Sequence, residues 1–250
     1  MSFNHYCIYV LTMRDSKRIA SIEEQMLKSS LNFEYVDAVV LKDDHNAYVN
    51  QQSVKENYGK ELSRGEVGCY LSHKSIWEKV VLSNKASVIF EDDALIDKKI
   101  VNFLNRLSLS EVSYDVLILG HSKKDYRNKS LYHFLEPLKI SEKVGEFLVG
   151  RGFKTWPSGT VGYIITPEGA KKLLSISEEI NSVLDDWPYY ERLGVLVKEV
   201  RPLLVWEDYI NMESAIENER KTPARKNIYF VARILRGVLR NIIAGAKSKR

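Results

Sequence analysis

Short uncharged runs alternate with longer amphipathic stretches along this chain, and that rhythm predicts its elements. Tyr6-Cys7-Ile8-Tyr9-Val10-Leu11 is β-branched and aromatic and carries no charge, as a buried strand does. A polar loop follows, Thr12-Met13-Arg14-Asp15-Ser16. Asp15 or Ser16 is placed to cap a helix running to about Ser29, with Ile19, Ile22, Met26 and Leu27 on one face. Residues 33–40 predict a second strand, and β-loop-α-β is an α/β opening.

Residues 42–60 are polar and lack a period, which predicts loop with a short helix. Ser63 with Glu66 three positions on has the spacing of a capping box, opening a helix through Val67, Leu71, Ile76, Trp77 and Val80. Val88-Ile89-Phe90 and residues 115–120 read as buried strands, and residues 121–158 as irregular. Residues 160–166 predict a strand, Pro167 starts a helix with Ala170, Leu173 and Leu174 inward, and residues 195–200 form a late strand. The pattern gives an α/β body over 1–224 and a separate tail over 225–250.

On a helical wheel the tail segment 228–244 gathers Arg233, Arg236 and Arg240 on one side, opposite Val231, Ile234, Leu235, Val238 and Ile242. A basic amphipathic helix of this kind lies in an anionic membrane interface or packs on its own body. The membrane is favoured, because the arginines have no acidic neighbours in sequence.

Charge sharpens this division. Eight basic residues and no acidic one lie between Arg225 and Arg250, whereas the whole chain has 37 basic and 33 acidic residues and a net charge of +4. The body is therefore mildly acidic, which argues against a nucleic-acid binder. With 44% hydrophobic and 28% charged residues over 250 positions the chain is globular. Two cysteines exclude a disulfide scaffold and suit a reducing compartment. Residues 1–6 do not read as a leader, and no run reaches the ~18 apolar residues of a membrane span.

Glu91-Asp92-Asp93 is the sharpest chemical feature. Three carboxylates directly follow an apolar strand, where α/β sheets collect ligands. Adjacent anions repel, and a divalent cation with oxygen ligands would compensate them; a solvated turn is the alternative. Asp185-Asp186 precedes Trp187-Pro188, which suits either a helix cap or a general base beside an aromatic. Arg14 and Arg18 follow the first strand, at a place for phosphate or on a solvated helix face. His73 and Cys69 lie on the predicted helix after Ser63, where structural roles are the commoner ones. GxxxxGK[ST], GxGxxG, CxxC and HExxH are all absent, which counts against P-loop kinases, Rossmann dehydrogenases and zinc sites.

These strings resemble glycosyltransferase family 25, the lipooligosaccharide galactosyltransferases of Gram-negative bacteria. Leu62-Ser63-Arg64-Gly65-Glu66-Val67-Gly68-Cys69-Tyr70-Leu71-Ser72-His73 is similar to the family's L-x-x-G-E-[IV]-G-C-x-x-S-H block, and Val88 to Asp93 to its hydrophobic-EDD block. Residues 162–170 and 183–187 resemble later blocks. Tyr9-Val10-Leu11 with Arg14 and Arg18 resembles the family's start, from which Thr12-Met13 departs. The resemblance covers about residues 5–220.

It implies a GT-A-like mixed sheet flanked by helices, a UDP-sugar donor, usually UDP-galactose, and a lipooligosaccharide or lipopolysaccharide core sugar as acceptor. It implies that Asp93 and Glu91 hold Mn²⁺ or Mg²⁺, with Asp92 beside them, and that Asp185, or Asp186 in its place, is the base of an inverting transfer. Arg14 is expected at the uridine phosphate and His73 at the donor pocket. The expected location is cytoplasmic, peripheral on the inner membrane's cytoplasmic face. UDP-GlcNAc and UDP-glucose are alternative donors, and a silent binding module is the alternative class.

Overall fold

The computed structural model describes residues 5–42, 44–124, 126–153, 155, 158–208 and 229–247. In chain order the body contains β1 (Cys7–Thr12), α1 (Ile19–Lys28), β2 (Glu34–Asp37), α2 (Gln51–Tyr58), α3 (Arg64–Ser83), β3 (Ser87–Glu91) and β4 (Ala94–Ile96). Next come α4 (Ile100–Ser108), β5 (Val116–Ile118), β6 (Gly120–His121), α5 (Lys129–Leu135), β7 (Ile140–Val144) and β8 (Phe147–Arg151). The last elements are β9 (Gly162–Ile165), α6 (Pro167–Ile176), α7 (Trp187–Arg192), β10 (Val197–Arg201), β11 (Val205–Glu207) and α8 (Tyr229–Lys247).

Eight strands form one mixed sheet in the order β2-β1-β3-β9-β5-β10-β8-β7. β1 pairs in parallel with β2 and β3, while β9 runs antiparallel between β3 and β5. β4, β11 and β6 make a small second sheet. The period of two in β1 sends Ile8 and Val10 to one face and Tyr9 and Leu11 to the other. Each face has its own core: α1 and α4 cover the first, and α3, α6 and α7 the second. A sheet covered on both faces needs strands apolar throughout, which is why β3, β5 and β9 read as continuous runs. The expected mixed sheet flanked by helices is what forms.

The capping box is present: Ser63 accepts from the Glu66 amide and Glu66 reaches back to the Ser63 amide. It fixes the start of α3, a helix of 20 residues. A Cβ on Gly68 would sit 2.7 Å from the Val39 carbonyl oxygen, so this glycine lets α3 approach the chain leaving β2.

Four expectations change. First, α1 begins at Ile19, and its N-cap, Arg18, makes no side-chain cap bond; Ser16 Oγ instead accepts from the Arg18 amide at 3.2 Å. Second, α4 was not foreseen, although Ile100, Phe103, Leu104 and Leu107 are buried at helical spacing. Third, residues 121–158 contain α5 and the β7–β8 hairpin. The exposed face of β7 is polar and charged, which hid the strand.

The fourth concerns the tail. α8 packs on α5 through Gly237, Arg240 and Asn241: Asn241 Nδ2 donates to the Phe134 carbonyl at 2.7 Å, and Arg240 pairs with Glu136. Arg240 thus finds its acid 104 residues away in sequence. Leu235, Val238, Leu239 and Ile242 face outward and are exposed. The 224/225 boundary and the side chain of Val231 lie outside the described residues. Among the described residues, no helix is long and apolar enough to cross a membrane.

Candidate active site

β3 ends at Glu91, and the chain turns through Asp92 and Asp93 into β4. β1 lies alongside, with Leu11 opposite Glu91 in register. Its last residue, Thr12, donates from Oγ1 to Asp92 Oδ2 at 2.7 Å. From the start of α1, Arg18 Nη1 reaches Asp92 Oδ1 at 3.2 Å and Asp93 Oδ2 at 2.9 Å. Thr12, Arg18, Glu91, Asp92 and Asp93 line one cleft of about 280 Å³.

The three carboxylates differ in state. Burial pushes the Glu91 carboxyl up, but His73, Thr160 and Arg18 outweigh it, so its pKa lies below the ordinary value. Asp93 goes the other way, to about 8: burial and the charges of Glu91 and Glu207 raise it, and Arg18 only partly opposes them. Asp93 Oδ1 is buried and has no hydrogen-bond partner. An orphaned carboxylate oxygen beside two further carboxylates fits a hard divalent cation with oxygen ligands, Mg²⁺ or Mn²⁺. Asp93 and Glu91 are therefore able to hold one, while Asp92 is engaged by Thr12 and Arg18.

His73 is fully buried on α3. Trp77 Nε1 donates to the Tyr163 hydroxyl at 2.9 Å, and that hydroxyl lies 2.8 Å from His73 Nδ1. On the other side of the ring, Nε2 faces Glu91 Oε1 at 3.4 Å. The ring orients Glu91 from behind, at the floor of the cleft. Cys69, His73 and Glu91 offer ligand atoms within 4.8 Å of one another. Burial and the charges of Glu91, Asp185 and Asp93 push the Cys69 thiol up, keeping it protonated.

The two aspartates before α7 differ in what they bind. Asp186 caps the helix, its Oδ1 accepting from the Tyr189 amide at 3.1 Å and its Oδ2 from the Tyr58 hydroxyl at 2.8 Å. Asp185 is turned back toward the sheet, and its Oδ2 accepts from the Gly159 amide at 2.9 Å. Gly159 has φ +94°, and a Cβ there would strike Ser122, so the loop needs glycine to present that amide. Burial, with the charges of Glu91 and Asp186, raises the Asp185 pKa against the Gly159 bond.

Arg14 is not in the cluster. It forms an exposed pair with Asp37, Nη2 to Oδ2 2.7 Å, at the end of β2. Arg18 holds the inward position. Thr12, Thr160 and Tyr163 also belong to the site and were not singled out from sequence. Thr160 and Tyr163 sit within an apolar strand signal, and no local pattern marks them as partners of Glu91 and His73.

The fold and site define an α/β protein with an acidic cleft at the carboxyl ends of β1 and β3, whose carboxylates could hold a divalent cation. The profile of glycosyltransferase family 25 (LPS biosynthesis protein) matches residues 5–187, and the chain belongs to that family. It is 24% identical over 249 residues to procollagen galactosyltransferase 1-A of Xenopus laevis, covering 89% of this chain and 39% of that protein. It is 33% identical over 122 residues to the inactive glycosyltransferase 25 family member 3 of Homo sapiens, covering 47% of this chain and 18% of that protein. The chain thus spans less than two fifths of the length of either relative. Among solved structures it is similar to the inositol-1-phosphate CTP transferase from T. maritima, with TM-score 0.41 and 15% identity, covering 92% of this chain and 95% of that one.

Proposed function

We propose that this chain is a glycosyltransferase that moves galactose from UDP-galactose to a core sugar of lipooligosaccharide or lipopolysaccharide, with inversion. Family membership supports sugar transfer, and the procollagen galactosyltransferase relative supports galactose. The observation that carries the reading is the division of carboxylates: an orphaned Asp93 oxygen in the cleft, and a separate Asp185 of raised proton affinity near Glu91.

Asp93 and Glu91 would hold the ion, Mn²⁺ or Mg²⁺, whose chemistry there is to neutralise charge on the departing diphosphate. The acceptor hydroxyl attacks the anomeric carbon, the bond from that carbon to the diphosphate oxygen breaks, and Asp185 takes the hydroxyl proton. Burial and the nearby Glu91 charge make Asp185 a better base than an exposed carboxylate. His73, held by Tyr163, keeps Glu91 aimed at the cleft.

A lipid-linked acceptor suits a surface-bound enzyme on the cytoplasmic face of an inner membrane. On α8 the outward Leu235, Val238, Leu239 and Ile242, with the exposed Arg233 and Arg236, are an interfacial face for anionic lipid. The inward Arg240 side holds the helix to the body.

The test is nucleotide release from UDP-galactose, UDP-GlcNAc and UDP-glucose, with and without Mn²⁺, in the presence of core acceptor. Release from UDP-galactose alone supports the full reading, and release from another donor moves the specificity. A second reading, a silent sugar-nucleotide-binding module, is favoured by the inactive family relative. Binding of UDP without release from any donor would select it.

A further inference from the structure

We infer that Arg18 is the internal counter-ion of the acidic triplet and transfers to the donor's diphosphate when a divalent cation arrives. The inference rests on the ion and donor reading above and adds a residue and an exchange to it.

Glu91, Asp92 and Asp93 follow one another at the end of β3, and Glu207 is near enough to raise the Asp93 pKa. One guanidinium nitrogen bridges Asp92 Oδ1 and Asp93 Oδ2 at 3.2 and 2.9 Å. The acidic turn is therefore already part-neutralised by a side chain of the same protein. Asp92 has a second support, the Thr12 hydroxyl, and does not depend on Arg18 for its position. Asp93 Oδ1 has none.

A divalent cation on Asp93 would share that carboxylate with Arg18. Two cations on one carboxylate repel, so each weakens the other's hold. Arg18 also lines the cleft, and its side chain is 20% exposed, so a rotamer change brings the guanidinium to cleft solvent without moving α1. The chemistry that rewards such a move is a phosphate group, which a guanidinium binds in a two-pronged fashion. Of the other basic residues of the loop, Arg14 is engaged by Asp37 at the surface, and Lys17 is exposed and does not line the cleft. Arg18 thus blocks premature ion binding and, once displaced, binds the diphosphate.

The signature is a pair of opposite effects. Arg18→Met should bind Mn²⁺ alone about tenfold or more tightly, because the competing cation is gone. With Mn²⁺ saturating, it should bind UDP about tenfold or more weakly, because a charge-assisted phosphate contact is lost. Calorimetry with UDP and the electron paramagnetic resonance of free Mn²⁺ read both without turnover. Loss of both affinities, or no change in either, overturns the exchange. Should Arg18→Met fail to fold, Arg18→Lys serves: it keeps the charge and loses the fork, so Mn²⁺ binding should stay near wild type while UDP weakens. Unchanged UDP binding in Arg18→Lys overturns the diphosphate role. Wild-type protein that binds neither Mn²⁺ nor UDP would bring down the donor reading itself, and this inference with it; binding of both with same-direction changes in Arg18→Met sinks only the inference.

Discussion

Replacing Asp93 by asparagine should make the protein more stable and useless to an ion. In the folded state the Asp93 carboxyl titrates at about 8, against an ordinary value of 3.8. Between those values the folded protein carries a proton that the unfolded chain has shed. Stability contributed by this group therefore falls as pH rises from about 4 to about 8, and the full cost of ionising it is present above about pH 8. One pKa unit corresponds to about 1.4 kcal/mol, so the buried charge opposes folding by several kcal/mol in alkaline buffer. Asparagine keeps the shape and removes the charge. Arg18 loses one ionic partner and keeps Asp92, which trims the gain to about 2–4 kcal/mol, or roughly 5–10 °C in melting temperature for a chain of this size. The assay is thermal unfolding followed by circular dichroism from pH 4 to 9, in EDTA and then with Mn²⁺. Asp93→Asn should melt above wild type at pH 8.5 and together with it near pH 4. Mn²⁺ should raise the wild-type midpoint at pH 8.5 and leave the variant unmoved. A variant that melts below wild type at pH 8.5 in EDTA would refute the reasoning, because Asp93 would then be stabilising the fold as an anion.

Three further outcomes are expected. Asp185→Asn should lower kcat by about 10²–10⁴-fold, the usual worth of a general base, while UDP affinity measured by calorimetry stays unchanged; full activity would remove Asp185 from the base role. Asp186→Ala should cost about 2 kcal/mol, from a lost cap and a Tyr58 hydroxyl left without its acceptor, and Asp186→Asn should cost less, as denaturant unfolding will show. Leu235→Asp with Leu239→Asp should abolish flotation with anionic vesicles and leave the melting temperature in place, since both side chains face away from α5; a lowered melting temperature with intact flotation would count against the membrane face.

Elements with local causes were readable from the chain. β1 and β3 announce themselves as apolar runs because both faces of the sheet are covered, and the Ser63–Glu66 box declares the start of α3 because its two hydrogen bonds close within four residues. β7 was hidden, since an edge strand with a polar outer face has little alternation to offer. α4, by contrast, carries its signal locally, in the helical spacing of Ile100, Phe103, Leu104 and Leu107.

The site divides in the same way. Glu91-Asp92-Asp93 is conspicuous because the carboxylates are neighbours in sequence and follow a strand. Their differences in state come from partners far along the chain: Thr12 lies 80 residues from Asp92, Arg18 lies 75 from Asp93, and Thr160 lies 69 from Glu91. Asp185 and Asp186 are chemically identical in one dimension. One becomes a cap and the other a base candidate because successive carboxylates leave the backbone in different directions, toward the start of α7 or toward Gly159. Arg14 and Arg18 pose the same problem four residues apart. The turn into α1 aims the second at the triplet and leaves the first on the rim with Asp37. Residue type and spacing can therefore nominate a pair, but the choice within each pair belongs to the turn that carries it, and for these two turns that choice separates chemistry from scaffolding.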